Sequence, residues 1–215
     1  MATNREVFDS IAASWYGFRH WPLLGDELRD LAARWRTGRL VDLGCAHGAD
    51  LLPFRSSFDL VGLDFSHEML VNGIRFMDKH GLRGSLVQGD IVSLPLASSS
   101  FQFAVAVATY HHVEGGQRRL DSFIELRRVL RPGGEAFVTV WNHGQPRFED
   151  GPRDVAIPWR SGDHVLQRYY HLFDYRELRA ILTDAGFEIL ALGPEKRHRG
   201  IDPEQSQNIC ALVRR

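Results

Sequence analysis

The sequence predicts an α/β fold in which a parallel sheet is wound with crossover helices. Apolar runs of strand length alternate along the chain with segments of helix length, an order typical of such sheets. The five runs are residues 40–43, 60–63, 85–87, 101–108 and 136–140. With 215 residues, of which 44% are hydrophobic, the chain can bury a substantial core. We therefore expect a single domain over residues 1–215.

The composition excludes several classes of protein. Basic and acidic residues number 26 and 27, so bulk attraction to nucleic acid is not expected. No apolar run approaches the ~20 residues of a membrane span. Cys45 and Cys210 are too few for a disulfide framework, and without CxxC or HxxH pairs we expect no metal site in the chain itself. These features predict a cytoplasmic protein without membrane association.

Two amphipathic segments, residues 6–13 and 23–35, precede the first strand and predict N-terminal helices within residues 1–37. Further along, residues 67–79 and 117–130 predict helices. Ser66 is a candidate N-cap for the first, and a proline and two glycines at 132–134 end the second.

The region after the fifth strand has a different character. Residues 142–161 contain proline, glycine and charge with little periodicity, and predict a long loop. We expect this loop and the residues that follow it to form a substrate-side insertion, 142–172. Beyond it, residues 175–185 predict a helix, and residues 187–192 and 208–213 predict the last two strands.

A glycine loop, Val41-Asp42-Leu43-Gly44-Cys45-Ala46-His47-Gly48, follows the first strand. Such a turn lets the backbone approach a ligand closely, beside the free amides of a helix start. Its spacing is G-x-x-x-G rather than the dinucleotide pattern G-x-G-x-x-G, which disfavours a nicotinamide-dependent oxidoreductase. A plain strand-to-helix turn is the structural alternative.

Acidic residues follow the next two strands. Asp64 lies 20 residues after Gly44, at a strand tip where its carboxylate can accept both ribose hydroxyls of an adenosine cofactor. Asp90, in Gly89-Asp90-Ile91, ends the third strand and is expected to contact the adenine amino group. Asp42 could hold a cofactor ammonium directly or through water. The sequence therefore predicts an adenosine-containing cofactor along this edge of the sheet.

The glycine loop, the two acids, Leu94-Pro95, the strand at 101–108 and the turn at 130–134 together resemble the class I S-adenosylmethionine-dependent methyltransferases over about residues 40–140. The resemblance implies a Rossmann-like, seven-stranded, mostly parallel sheet with helices on both faces and the last strand antiparallel. Ala46 and His47 replace the family's usual glycine and small polar residue. The cofactor-binding residues that it implies are Asp42, Gly44, Cys45, Ala46, Gly48, Asp64, Phe65, Gly89, Asp90, Ile91 and Ala108.

A narrower resemblance is to the tRNA wobble-uridine carboxymethyl methyltransferases, which include the methyltransferase domain of AlkB homologue 8. Five matches occur in the family's order: Arg19-His20-Trp21-Pro22, Tyr110-His111-His112, Val140-Trp141, Asp154 to Trp159 and Arg168 to Leu172. The last strand departs from the pattern, because Ile209 and Cys210 stand where the family tends to have aromatic residues. The resemblance implies esterification of the carboxymethyl group of the wobble uridine, U34, with substrate-side residues Arg19, His111, His112, Trp141, Tyr170 and His171.

Methyl transfer from a sulfonium is an in-line displacement, so the protein must align the acceptor with the methyl group and exclude water. A carboxylate acceptor is already ionised at neutral pH and needs no general base. Arg19 is the candidate for holding the carboxymethyl group or a neighbouring phosphate. Of the adjacent histidines, His111 is expected to face the site. Trp141 either lines the pocket or stacks on a base, or else belongs to the core.

Other functions remain open from the sequence. A small-molecule methyltransferase could use the same cofactor half with a closed, apolar acceptor pocket. A cofactor-binding scaffold without catalysis is a further alternative, which the acids Asp64 and Asp90 oppose. The resemblance also implies a partner besides tRNA, a small zinc-binding activator subunit that would form a heterodimer by pairing with the third strand at residues 85–87.

Overall fold

The computed structural model describes residues 3–161 and 164–215. Nine strands lie within them, each numbered here in chain order. They are β1 Gly38–Leu43, β2 Phe58–Asp64, β3 Gly84–Gln88, β4 Phe101–Val107, β5 Leu130–Trp141, β6 Asp154–Ser161, β7 His164–His171, β8 Glu188–Pro194 and β9 Asn208–Arg214. Seven of them form one sheet in the order β3-β2-β1-β4-β5-β9-β8. Strands β1 to β5 pair in parallel, and β9 is antiparallel to both neighbours. The predicted seven-stranded α/β fold is confirmed.

Five α-helices accompany these strands in the described residues. They are α1 Asn4–Phe18, α2 Gly25–Trp35, α3 His67–His80, α4 Gly116–Val129 and α5 Tyr175–Asp184. Apolar side chains from α2 and α3 pack with Leu40 on one face of the sheet, whereas those from α4 and α5 pack with Val41 on the other. Because successive strand residues point to opposite faces, one fully buried strand serves both cores.

Helix α1 is longer than the sequence predicted. The side chains and backbones of Thr3 and Glu6 form a reciprocal capping box, so the helix begins before residue 6. It continues through Phe18 because Trp15 packs against Trp159 of β6, at 5.2 Å between ring centroids. Residues 14–18, which lie beyond the segment predicted as helical, therefore belong to α1.

The prediction of a loop across residues 142–161 was wrong in its second half. Strands β6 and β7 form a separate antiparallel ribbon, in which Ile157 pairs with Arg168 and Trp159 with Leu166. Pro158 obscured the strand pattern, but a two-stranded ribbon has only edge strands and tolerates proline. The inner face of the ribbon packs on α1 and carries Trp159, Arg168 and Tyr170 across the carboxyl edge of the main sheet.

In the described part of the chain, no helix is both long enough and apolar enough to span a membrane. Strand β3 lies at one edge of the main sheet, as predicted for residues 85–87.

Candidate active site

A cleft of about 650 Å³ opens at the carboxyl ends of β1, β2 and β3. Strands β2 and β4 flank β1 on opposite sides, and the order of a doubly wound sheet reverses at such a point, where its ligands bind. The start of α1 forms one wall of the cleft. The lining comprises Thr3, Asn4, Arg5, Gly44, Asp64, Phe65, Gln88, Gly89, Asp90, Ile91, Val92, Thr109, His112, Val113, Glu114 and Arg118.

The glycine loop turns sharply into the cleft. Gly44 has a φ of 74°, and a Cβ there would lie 2.4 Å from the side chain of Thr109, so only glycine fits. Thr109 in turn donates from its hydroxyl to the carbonyl of Leu43 at 2.9 Å. Ala46 also has a positive φ, of 49°, and its N–H donates to Oδ2 of Asp64 at 2.8 Å. The loop is thereby fixed against the tip of β2.

Two buried carboxyl groups lie at this loop, Asp42 within it and Asp64 beside it. Asp64 accepts hydrogen bonds from the N–H groups of Ala46 and of Ser66, the latter at 2.9 Å, yet burial raises its pKa to about 6. Asp42 is 1% exposed and its Oδ2 has no hydrogen-bond partner. Burial raises the pKa of Asp42 well above its usual range, and the nearby carboxylates Asp50 and Asp64 add to the shift. A hydrogen-bond donor or a cation at Oδ2 would therefore stabilise the ionised form of Asp42.

Asp90 stands at the open end of the cleft. Its Oδ1 accepts from the N–H of Val92 at 3.0 Å, and its Oδ2 pairs with Arg118 at 3.3 Å. Both side chains are exposed, so this pair contributes little stability and can rearrange around a ligand. Gln88, which the sequence did not suggest as a site residue, lines the cleft beside Asp90 and donates to the carbonyl of Phe65 at 3.2 Å.

The side chain of Asn4 fastens the start of α1 over the cleft. Its Nδ2 donates to the carbonyls of His112 at 3.2 Å and Tyr169 at 3.4 Å, and its Oδ1 accepts from the N–H of Tyr169 at 3.1 Å. One amide therefore joins α1, β7 and the 3-10 turn Tyr110–His112 that follows β4. The wall of the cleft and the ribbon are held together at this point.

Four of the predicted substrate-side residues meet beside the cleft. His111 stacks on Tyr170 at 4.6 Å between ring centroids, and Trp141 and His112 lie 4.5 and 4.4 Å from the same tyrosine ring. The 3-10 turn after β4 supplies the histidines, β5 supplies Trp141 at its last residue, and β7 supplies Tyr170. The cluster therefore lies where the carboxyl ends of β4 and β5 meet the ribbon.

The two histidines have different environments. Nδ1 of His111 accepts the N–H of Trp141 at 3.2 Å, and burial lowers the pKa of His111 well below its usual value. Nδ1 of His112 lies 3.0 Å from the carbonyl of Tyr169 and must donate to it. Burial lowers the pKa of His112 to about 3, so both rings are neutral at pH 7. His112 lines the cleft, whereas His111 is enclosed by Trp141 and Tyr170. This reverses the preference for His111 drawn from the sequence.

Arginine side chains surround Tyr170. Arg168 is 6% exposed and lies 5.0 Å from the ring of Trp159 and 5.2 Å from that of Tyr170. Its Nε has no hydrogen-bond partner, and burial lowers its pKa. Burial raises the pKa of Tyr170, against the opposing charges of Arg168, Arg19 and Arg147. In the described ranges, 3–161 and 164–215, none of these three arginines forms an ion pair. Arg168 is therefore a buried positive charge, with the half-buried Arg19 and the exposed Arg147 near it.

His171 lies apart from this cluster. Its Nδ1 is 2.7 Å from Asp154 of β6, and its Nε2 is 2.8 Å from Glu177 of α5. Both ring nitrogens are occupied by carboxylates of the protein, and the ring packs edge-on against Phe173. The residue ties the open end of the ribbon to α5, and the structure gives it no free nitrogen to offer a substrate.

Comparison with known proteins identifies the fold and the chemistry. A sequence profile described as a methyltransferase domain matches residues 40–134. A protein of Encephalitozoon cuniculi whose name assigns it to the methyltransferases is 31% identical over 186 residues, 83% of this chain and 82% of the relative. The tRNA (carboxymethyluridine(34)-5-O)-methyltransferase of Schizosaccharomyces pombe is 29% identical over 89% of this chain and 91% of its own length.

Solved structures agree with these relatives. An S-adenosylmethionine-dependent methyltransferase of Clostridium acetobutylicum superposes with a TM-score of 0.74 at 14% identity, over 97% of this chain and 96% of the other. A chain of the complex between the Haloferax volcanii Trm112 methyltransferase activator and a methyltransferase superposes with a TM-score of 0.68 at 19% identity, over 99% of this chain and 97% of the other. The chain belongs to the class I S-adenosylmethionine-dependent methyltransferases.

The methyltransferase has a site whose chemistry fits this cofactor. The unpartnered Oδ2 of Asp42 provides an acceptor for an ammonium group, and Asp64 lies at the tip of β2, where an acid binds ribose hydroxyls. The exposed carboxylate of Asp90 and the side chain of Ile91 border the open end of the same cleft, which suits a polar, planar base. When bound, S-adenosylmethionine supplies an electrophilic methyl group.

The structure distributes the predicted cofactor residues unevenly around the cleft of the methyltransferase. Six of them line it: Gly44, Asp64, Phe65, Gly89, Asp90 and Ile91. The remaining five lie outside its lining: Asp42, Cys45, Ala46, Gly48 and Ala108. Of these five, Ala46 donates its N–H to Asp64, and Asp42 lies in the glycine loop with an unpartnered Oδ2. Cys45 is buried, and burial raises the pKa of its thiol.

Other residues of the methyltransferase site were missed by sequence reasoning. Thr109, Gln88 and the start of α1 line the cleft, and Arg147 joins the positive cluster beside Trp141, at 4.6 Å from its ring. Arg168 lies within the motif Arg168 to Leu172 found in the sequence, and its spacing from Tyr170 indicates a shared face, because residues two apart on a strand share a face. That shared face could be inferred only after the ribbon had been recognised as a pair of strands.

Proposed function

We propose that this methyltransferase esterifies a carboxylate acceptor, the carboxymethyl group of the wobble uridine U34 in tRNA. The observation that carries the proposal is Arg168, a buried guanidinium for which the described residues supply no anionic partner. A buried charge without a partner is costly, and an anionic substrate would remove that cost. Arg168 is therefore a direct candidate for the acceptor carboxylate, together with Arg19, which the resemblance suggested.

The chemistry needs orientation rather than proton transfer. A carboxylate is ionised at neutral pH, and its oxygen attacks the methyl carbon as the carbon–sulfur bond breaks, so no base is required. His111 and His112 are neutral, which suits a reaction without proton transfer. The arginines then carry the positive charge that binds the anionic acceptor. Tyr170 and Trp141 wall the acceptor, excluding water from the displacement.

The name of the S. pombe relative supports the choice of acceptor, since that protein is a tRNA (carboxymethyluridine(34)-5-O)-methyltransferase and matches 89% of this chain. The near-neutral overall charge, −1, fits a local arginine cluster better than a broad basic surface. The proposal therefore depends on the few arginines around Tyr170.

A test is the incubation of the purified enzyme with S-adenosylmethionine and tRNA that carries carboxymethyluridine, followed by mass spectrometry of the nucleosides. We expect the methyl ester at U34, and a fall of about 100-fold in kcat/KM for Arg168→Met, because a bidentate charge-assisted contact to the acceptor is lost. Arg160→Met, on the exposed face of the same ribbon, is the matched control. If no methyl ester forms on this tRNA under any condition in which the enzyme binds S-adenosylmethionine, the proposal is overturned.

A small-molecule methyltransferase is the second candidate. The packing of α1 against the ribbon favours it, because Trp159 donates from Nε1 to Ser14 at 2.9 Å and its ring packs tilted against that of Trp15, as a cover over an enclosed pocket would. The arginines argue for an anionic small molecule rather than an apolar one. Methylation of a small-molecule carboxylate with a kcat/KM above that of tRNA would favour this reading.

We also propose that a small zinc-binding activator subunit pairs with β3. Ser85 and Gln88 are exposed on this edge strand, and Ile74 of the neighbouring α3 is 65% exposed, so open backbone groups lie beside an apolar surface. Coexpression of such a subunit should yield a heterodimer that Ile74→Asp disrupts, with Ile124→Asp as the control. A chain that stays monomeric with the subunit and is fully active alone would exclude an obligatory partner.

A further inference from the structure

We infer that Phe18 and Trp159 form a stacking site for the RNA base next to the acceptor nucleotide. Phe18, the last residue of α1, is 72% exposed, and its ring meets that of Trp159 at 5.7 Å and 85°. Two perpendicular rings form a corner in which a planar base can stack on one ring and present its edge to the other. This inference rests on the proposed RNA substrate and names a second part of its binding site.

Trp159 is the fixed ring of this corner. Trp159 is fixed by the hydrogen bond from its Nε1 to Ser14 and by contact with Trp15 at 5.2 Å. Arg168 lies 5.0 Å from the ring of Trp159. A preorganised aromatic surface loses little conformational freedom when a base stacks on it, which favours binding. Phe18, by contrast, contributes little to the stability of the fold, because most of its side chain is exposed to solvent.

Charge near the corner selects a nucleic acid over an apolar partner. The Arg19 guanidinium lies 4.9 Å from the ring of Trp15, and Arg168 is beside Trp159. Neither forms an ion pair in the part of the chain that the structure describes. Aromatic rings interleaved with unpaired arginines are the combination by which proteins bind single-stranded RNA, through base stacking and phosphate contacts.

The corner also lies next to the proposed acceptor site. Arg168 contacts the ring of Trp159 on one side and that of Tyr170 on the other, and all three side chains lie on the inner face of the ribbon. A nucleotide whose carboxylate meets Arg168 and Tyr170 would therefore have its neighbour at Trp159 and Phe18. The occupant is accordingly an unpaired base of the same RNA strand, as in an anticodon loop.

The test measures dissociation constants for anticodon stem–loop RNAs by fluorescence anisotropy. Phe18→Ala should weaken binding about tenfold, the loss of one stacked base, and Phe18→Trp should restore it. Val165→Ala, on the outer face of the ribbon, is the control and should bind as the parent protein does. In RNAs that are abasic at the nucleotide before or after U34, the effect of Phe18→Ala should disappear for one of the two positions.

Equal affinity of Phe18→Ala and the parent protein for the intact stem–loop would overturn the inference, even if methylation of carboxymethyluridine is observed. A loss of affinity that persists at both abasic positions would also overturn it, since the occupant would then not be a neighbouring base. If U34 is not methylated but Phe18→Ala still weakens RNA binding and the abasic effect holds, the stacking site stands and the proposed acceptor fails. The two proposals thus fail separately.

Discussion

Asp42 is the most poorly compensated carboxyl group in the cofactor loop. It is buried, its Oδ2 has no partner, and burial raises its pKa. At neutral pH the carboxyl group is ionised and solvated in the unfolded chain, whereas in the folded protein it either keeps its proton or holds a charge without a partner, and both cost stability. The residue therefore lowers the stability of the cofactor-free protein while providing the charge that a cofactor ammonium requires.

Asp42→Asn should separate these two effects. We expect the free energy of unfolding without cofactor to rise by about 1–3 kcal/mol at pH 8, because a carboxyl group that burial disfavours in its ionised form is removed. Affinity for S-adenosylmethionine should fall at least tenfold. Urea denaturation and calorimetric titration give the two quantities, and Asp59→Asn, an exposed carboxylate paired with Arg39, is the control. An Asp42 variant that is both less stable and unchanged in affinity would contradict the assigned role.

Ala46 holds a backbone conformation that favours glycine. Its φ of 49° costs a residue with a Cβ about 1 kcal/mol, so Ala46→Gly should raise the free energy of unfolding by about 0.5–1 kcal/mol. Ala32→Gly, within α2, should instead lower it by about 1 kcal/mol. Urea denaturation of both variants checks the signs. A destabilising Ala46→Gly would mean that the loop depends on the methyl group of Ala46 for packing.

At the scale of elements, the strands of the main sheet could be predicted from the sequence, whereas the ribbon of β6 and β7 could not. The strands of the main sheet were predictable, because parallel strands such as β1 are buried on both faces and read as continuous apolar runs. The ribbon is buried on one face only, and that face is formed partly by Arg168 and Tyr170 rather than by aliphatic residues. Hydrophobic periodicity therefore gave little signal in β7, and in β6 Pro158 obscured the alternation of Val155, Ile157 and Trp159.

A substitution of His171 distinguishes the substrate-side role implied by the sequence from the structural role that its contacts indicate. Its ring joins Asp154 on β6 to Glu177 on α5, so His171→Ala should detach the open end of the ribbon and lower the free energy of unfolding by about 1–3 kcal/mol. Hydrogen exchange should rise in β6 and β7, whereas the exposed His67→Ala should change neither quantity. A fall in the turnover rate by about two orders of magnitude, with unchanged exchange in the ribbon, would instead support the substrate-side role that the resemblance implied for His171.

At the scale of the whole molecule, two sets of buried groups oppose each other in acid. Burial lowers the pKa of His47 to about 4 and of His112 to about 3, so the unfolded chain binds protons first as the pH falls below about 6.5, and stability is lost. Burial raises the pKa of Asp64 to about 6, so the folded chain binds this proton first, and stability is gained between about pH 6 and pH 4. The cofactor-free protein should therefore show a shallow dependence on pH in this range.

Saturation with S-adenosylmethionine should make that dependence steeper. Hydrogen bonds from ribose hydroxyls favour the ionised form of Asp64 and lower its pKa, which removes the compensating uptake of a proton. We expect the free energy of unfolding of the saturated protein to fall more steeply from pH 6.5 to pH 4 than that of the free protein. Urea denaturation at fixed pH intervals measures both curves. In Asp64→Asn the difference in slope between the curves with and without cofactor should become smaller, and parallel curves in the parent protein would exclude Asp64 as the ribose ligand.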